Sequence, residues 1–173
     1  SVCPAHTASF SGWAYKSSFD NQPGTSASAA DANAQNDEIH IAVIDNDGKF
    51  GAKGAVLETF PFVSLATNSK QPDGSTNYAV SVVNNASQYV WMAGFETVFT
   101  SVGAGTTADS GENFILSSPE VKTYQLAGGT NSAALTPTQV ATGFDQYEDQ
   151  DTVEVDFLIA PSMSARADQT TVV

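Results

Sequence analysis

The sequence predicts an α+β fold, a mixed β-sheet core with flanking short helices and a Gly/Ser/Thr-rich loop excursion. Three observations carry that expectation. Asp37–Gly48 (DEIHIAVIDNDG) places Ile39, Ile41 and Val43 on one face of an extended chain and His40, Ala42 and Ile44 on the other, the pattern of an interior strand. Segments of helical character alternate with segments of strand character along the chain. Thr100–Asn113 (TSVGAGTTADSGEN) has almost no apolar content. Residues 100–118 are therefore expected to form a mobile loop or small excursion, with a candidate subdivision of the chain near 118.

The remaining elements follow from local chemistry. Ser1–Ala5 reads as the remnant of a strand, and Phe10, Trp13, Tyr15 and Phe19 make an aromatic-rich segment up to the break at Pro23-Gly24. Thr25 or Ser26 can cap a short helix over Ala27–Ala34, stopped near Asn36. In the opening stretch, Asp45 ends the apolar run and Asn46-Asp47-Gly48 reverses the chain. Ala55–Phe60 is the next strand, which Pro61 is expected to halt, with Phe62-Val63 continuing it irregularly. Asn68–Ser75 is a loop by composition, and Ser75 or Thr76 can cap a helix through Tyr78, Val82 and Val83 that ends near Asn84-Asn85. Gln88–Ala93 (QYVWMA) reads as a short buried strand and Val121–Leu126 as another.

Thr136-Pro137-Thr138-Gln139 combines a Thr N-cap, Pro at the first helical position and Gln at the capping-box position. The helix it starts is expected to end by Asp149-Gln150. Thr152–Ile159 then alternates, with Val153, Val155, Phe157 and Ile159 on one face, and Pro161 closes it.

The totals bound the function. The chain has 173 residues, 41% of them hydrophobic, with ten Phe. That suffices for one well-cored domain or two small ones, and residues 1–173 are read as one compact portion of a larger body. Six Lys plus Arg against nineteen Asp plus Glu give a net charge of −13. Such a field repels a phosphate backbone, so no nucleic-acid partner is expected; it suits solubility or docking onto a basic partner. The single cysteine, Cys3, rules out a disulfide framework. The sequence has no apolar span of membrane length and no secretory signal pattern, and no membrane partner is expected. A chain that opens on SVCPA and closes on TTVV is expected to be a piece of a longer polypeptide.

Candidate chemistry is thin, and no catalytic, cofactor-binding or metal-binding residue is assigned. Asp45, Asp47 and Glu58 invite a calcium reading, but Lys49 and Phe50 stand where the EF-hand template needs a ligand and a Gly. His6, His40 and Cys3 lack the ligand spacing of a zinc site, and nothing near Cys3-His6 would orient a catalytic His. Glu148, Asp149, Asp151, Glu154 and Asp156 could in principle supply paired carboxylates for a glycosidase, yet fit a helix end followed by a solvated strand face. Asn85-Ala86-Ser87 fits a glycosylation sequon without a secretory signal to support it. Trp13, Tyr15 or Trp91 could stack on sugars, which keeps a carbohydrate-binding or adhesin module as the alternative function. No enzyme is expected.

One series of stretches runs Trp13-x-Tyr15-x-x-x-Phe19, Pro23-Gly24-Thr25-Ser26, Asn36-Asp37-Glu38-Ile39-His40-Ile41, Val43-Ile44-Asp45, Asp47-Gly48 and Val56-Leu57-Glu58. It continues with Ser64-x-Ala66, Asp73-Gly74, Asn77-Tyr78, Val82-x-Asn84 and Ser87-x-Tyr89-x-Trp91. Together these stretches resemble the tail sheath proteins of contractile-tailed bacteriophages, those of large myovirus type in particular. A second block is similar to the broader sheath family: Leu126-Ala127-Gly128-Gly129, the helix beginning at Thr136, Val153-x-Val155 and Ile159-Ala160-Pro161. It departs at Thr130-Asn131-Ser132, where many sheaths carry Asp-Gly. The resemblance implies a structural subunit that polymerises around a tail tube, is triggered by a baseplate and contracts to drive the tube through the host envelope, without a cofactor. Its implied partners are neighbouring sheath subunits, the tube and the baseplate. Its implied location is the virion, and the host cytoplasm during assembly.

Overall fold

A computed structural model describes residues 1–116, 120–129 and 135–144. The chain divides into two units, Ser1–Gln125 and Leu126–Val173. The first contains β1 (Val2–Pro4), α1 (Thr7–Gly12), a 3₁₀ turn at Lys16–Ser18, α2 (Ala27–Asp31), β2 (Glu38–Asp45), β3 (Ala55–Ser64), α3 (Ala79–Ala86) and α4 (Thr97–Thr100). The strands form one sheet in the order β1-β2-β3. Both pairings are antiparallel, and parallel alignment occurs at isolated bridges, Gln35 with Asn113 and Ser64 with Tyr78. The fold is α+β, as expected, but among the described residues its sheet is antiparallel rather than mixed.

β2 is the central strand because both of its faces are apolar. Ile39 and Ile41 enter the larger core with Phe60, Val63, Leu65, Val83, Phe99, Phe114 and Leu116, and Val43 packs at its margin. Ala42 joins Cys3, Trp13 and Phe19 on the other face, with Ile44, Phe10 and Tyr15 packed around them. The period-two reading of Ile39 to Ile44 therefore sorts side chains into two separate cores.

A local signal explains α2. Ser26 caps α2 by accepting the Ala29 N–H on its hydroxyl at 3.1 Å, as expected, although α2 ends at Asp31 rather than Ala34. Asn33 and Asn36 then take left-handed backbone (φ 61° and 60°), a conformation Asn tolerates, and turn the chain into β2. The expected cap of α3 by Ser75 or Thr76 is not found: Tyr78 is the N-cap residue without a side-chain cap, and the Thr76 hydroxyl accepts the Tyr78 N–H at 3.2 Å ahead of the helix.

Three further expectations are corrected. Pro61 does not halt β3, which runs through it to Ser64, irregularly at Phe62-Val63 as expected. Its register shifts between the pairs Ile39–Val63 and Ile41–Phe60, so Pro61 and Phe62 together face His40 in a bulge. A bulge tolerates the missing proline N–H that a regular ladder would not. Gln88–Ala93 is not a buried strand: Val90 and Met92 pack toward the larger core, while Tyr89 and Trp91 are exposed. Val121–Leu126 yields one bridge, Lys122 with Val2, rather than a strand.

The 100–116 segment is a loop sewn onto the core. Ala104, Ala108, Phe114 and Leu116 are buried. Gly105 N–H donates to Leu65 O at 2.9 Å, Thr67 N–H to Thr106 O at 2.8 Å and Phe114 N–H to Gln35 O at 3.0 Å. Its backbone groups find partners in residues 35 and 65–67, as buried backbone must.

In the second unit, α5 (Pro137–Phe144) begins with a reciprocal capping box. Thr136 N–H donates to Gln139 Oε1 at 2.9 Å, and Gln139 N–H to Thr136 Oγ1 at 3.3 Å. The candidate subdivision near 118, the expected end of this helix at Asp149-Gln150, the strand Thr152–Ile159 and the acidic residues from Glu148 to Asp156 lie outside the described residues.

Candidate functional site

His40, Asp45 and Glu58, which attract attention in the sequence, are spent on backbone. Asp37, fully buried, is the most constrained. Its carboxylate accepts the Ser26 N–H and the Ser26 hydroxyl, each at 2.8 Å, and the Ser64 hydroxyl at 2.5 Å. Because the Ser26 proton goes to Asp37, the Ser69 hydroxyl 3.3 Å away must donate to Ser26. The Asp37 carbonyl also accepts Leu65 N–H at 2.8 Å. One side chain thus ties the α2 cap to the start of β2 and the end of β3. It is a sealed knot with no access for a substrate. Nothing in the local sequence marks Asp37 apart from its place before the apolar run, because its partners lie 11 and 27 residues away.

His40 is also fully buried. Its Nδ1 accepts the Phe62 N–H at 3.0 Å and its Nε2 lies 2.7 Å from the Asn21 carbonyl. A carbonyl needs a donor and an N–H needs an acceptor, so this pair of contacts fixes the neutral Nε2–H tautomer. Phe19 stacks on the ring at 4.3 Å with a 7° tilt, Trp13 lies beyond at 6.5 Å, and Phe62 meets it edge-on at 4.5 Å. Burial lowers the pKa of His40 below its ordinary value, although its hydrogen bond to Asn21 works in the other direction. Phe62 has φ 52°, an uncommon conformation for an aromatic residue. Both of its backbone groups are held by side chains, the N–H by His40 and the carbonyl by Asn77 Nδ2 at 2.9 Å. His40 therefore supports the β3 bulge.

Asp45, Asp47 and Glu58 do not converge on a cation. Asp45 accepts the N–H groups of Lys49, Phe50 and Gly51 at 2.8–2.9 Å and shapes the 46–54 connection. Desolvation raises its pKa, but the amides of Phe50, Lys49, Gly51 and Gly48 together outweigh it and hold the carboxyl below its usual range. Glu58 accepts the Ser87 hydroxyl at 2.6 Å and the Gln88 N–H at 2.8 Å, while Asp47 is exposed. Among the described residues no group of three or more His, Cys, Asp or Glu is placed to hold a metal.

The Cys3 thiol is buried, and desolvation pushes its pKa up to about 12, so it is no thiolate nucleophile. His6 borders an open cleft of about 240 Å³ whose lining includes Gln22, Asn36 and Ile115 but no carboxylate to orient it. Asn85 of the sequon is exposed on the last turn of α3, with Ser87 bonded to Glu58.

The two tryptophans part company. Trp13 is 4% exposed, and its indole N–H donates to the Ser1 hydroxyl at 3.0 Å. Trp91 is 77% exposed. Phe50, 69% exposed, meets Tyr89, 41% exposed, edge-to-face at 5.1 Å. The sequence names Trp91 as a candidate surface aromatic, but it gives no sign that Phe50 would join Tyr89. No described helix is long and apolar enough to cross a membrane. No protein-family model matches the chain, and neither curated proteins nor solved structures give a match.

Proposed function

We propose that the chain is part of a structural subunit of a phage contractile tail sheath. In this reading it polymerises with copies of itself around the tail tube and contracts on a baseplate signal, driving the tube through the host envelope. Energy is stored in subunit contacts rather than released by chemistry. One observation carries the reading beyond the sequence resemblance. The stretches that resemble sheaths are the ones that build the frame, and their polar residues hold backbone: Asp37, His40, Asp45, Glu58 and Asn77 each fix a strand end, bulge or connection. That use of polar side chains suits a subunit that must transmit force without losing its shape.

The test is expression of the complete reading frame containing this chain, alone and with its tube and baseplate proteins, followed by negative-stain electron microscopy. The reading predicts ordered tubes; the absence of any ordered polymer under all of these conditions would sink it. A carbohydrate-binding module is the second reading, favoured by the exposure of Trp91 beside Tyr89 in sequence. It predicts saturable binding on a glycan array that is lost in Trp91→Ala. Trp13 drops out as a sugar platform because it is buried.

A further inference from the structure

The exposed aromatics around Phe50 are held in place by hydrogen bonds that contribute little to core burial. Asp45 fixes the amides of Lys49, Phe50 and Gly51. Glu58 fixes Ser87 and Gln88, just before Tyr89. Asn84 then clamps Met92, accepting its N–H at 2.7 Å and donating to its carbonyl at 2.9 Å, just after Trp91. Val90 and Met92 anchor the same segment on the larger core, which leaves Tyr89 and Trp91 facing outward. Two connections are thereby ordered in advance to present Phe50, Tyr89 and Trp91. Such pre-ordering reduces the entropy lost on association, and aromatic side chains are the commonest binding anchors.

Charge selects the occupant. Residues 46–54 carry Lys49 and Lys53 against one acidic side chain, Asp47, in a chain with only six cations and a net charge of −13. Both lysines are exposed, and among the described residues the one ion pair is Lys122 with Glu120. A neutral glycan has no use for cations at the rim, whereas an acidic protein surface does. We propose that Phe50, Tyr89 and Trp91, flanked by Lys49 and Lys53, form a docking surface for the acidic surface of a second copy of this chain. The two sides of that contact are different patches of the same molecule, so it builds a ring or an open helix unless a two-fold axis pairs both patches reciprocally in a dimer. The inference rests on the self-assembly reading above and names a surface for it.

The experiment is sedimentation velocity of this chain across a concentration series, read alongside acrylamide quenching of tryptophan. Trp13 is buried, so quenching reports Trp91. Wild type is expected to associate as concentration rises, with quenching falling in parallel. Phe50→Ala, Trp91→Ala and the pair Lys49→Glu with Lys53→Glu should each weaken association about tenfold or more. The control pair Lys16→Glu with Lys70→Glu should leave it unchanged. Circular dichroism and a thermal melt of every variant separate lost docking from lost folding. Association that survives all the patch variants overturns the surface while leaving the sheath reading intact. Wild type that stays monomeric throughout also overturns the surface, and the complete reading frame under the electron microscope then decides the sheath reading separately. Saturable glycan binding lost in Trp91→Ala would assign the patch to sugar and overturn the inference as well.

Discussion

The first unit contains two aromatic groups that do opposite things. Trp13, Phe19 and His40 stack into a buried layer on one face of β2, with half-buried Phe62 edge-on to His40. Phe50, Tyr89 and Trp91 stand outward on connections beyond the sheet. Residue type does not separate them, since each group has a Trp and at least one Phe. The difference lies in what fixes them. The buried group is held by its own packing, with His40 supplying a polar handle at either end. The exposed group is held from below, by Asp45, Glu58 and Asn84 acting on backbone. Mutations should therefore cost stability in the first and association in the second.

The largest expected effect is on the buried side. Trp13→Ala removes the ring that Phe19 stacks on at 5.1 Å and should cost about 3–5 kcal/mol in urea unfolding. A loss below about 1 kcal/mol would show that the layer is not a core. Asp37→Ala comes next. It strands the Ser26 N–H and the Ser64 hydroxyl in a dry interior, at about 1–3 kcal/mol for each unsatisfied group, or about 2–6 kcal/mol together. A thermal melt indistinguishable from wild type would refute the knot.

Acid sharpens the same contrast. The pKa of His40 in the folded chain lies below its unfolded value, near 6.5, so the unfolded state binds the extra proton first. Its contribution to stability is complete above about pH 6.5 and is lost as pH falls through the lower folded pKa. Protonation would also turn Nδ1 into a donor facing the Phe62 N–H. Unfolding measured between pH 8 and 5 should show a destabilisation that shrinks in His40→Gln, while Trp91→Ala follows wild type. A slope that His40→Gln leaves unaltered would remove the tautomer argument.

Much of this frame is legible in the sequence because the signals are local. The alternation from Ile39 to Ile44, the Ser26 cap and the Thr136–Gln139 capping box all come from residues close together in the chain, and the structure bears them out. The misreadings concern partners far away. Pro61 looks like a strand terminator until His40 is seen facing the bulge, 22 residues from the Phe62 amide it accepts. Gln88–Ala93 looks buried because its composition is apolar. Its outward half is set by Glu58, 30 residues from the Gln88 amide, and composition carries no trace of that. The attachment of the 100–116 loop to residues 35 and 65–67 is likewise illegible, because it uses backbone groups, which no side-chain pattern reports.

Smaller still should be Glu58→Gln, which keeps the shape but weakens the charge-assisted bonds to Ser87 and Gln88. The expected loss of global stability is about 1 kcal/mol or less. Hydrogen exchange should nevertheless rise at residues 88–91, and unchanged protection there would mean that packing alone orders the segment.

The most direct test sets the two tryptophans against each other, with Trp13→Ala and Trp91→Ala compared in urea unfolding and in sedimentation at high concentration. The account predicts that Trp13→Ala loses stability, whereas Trp91→Ala unfolds like wild type but loses association. A Trp91→Ala variant that is destabilised as much as Trp13→Ala, or that associates as wild type does, would contradict it.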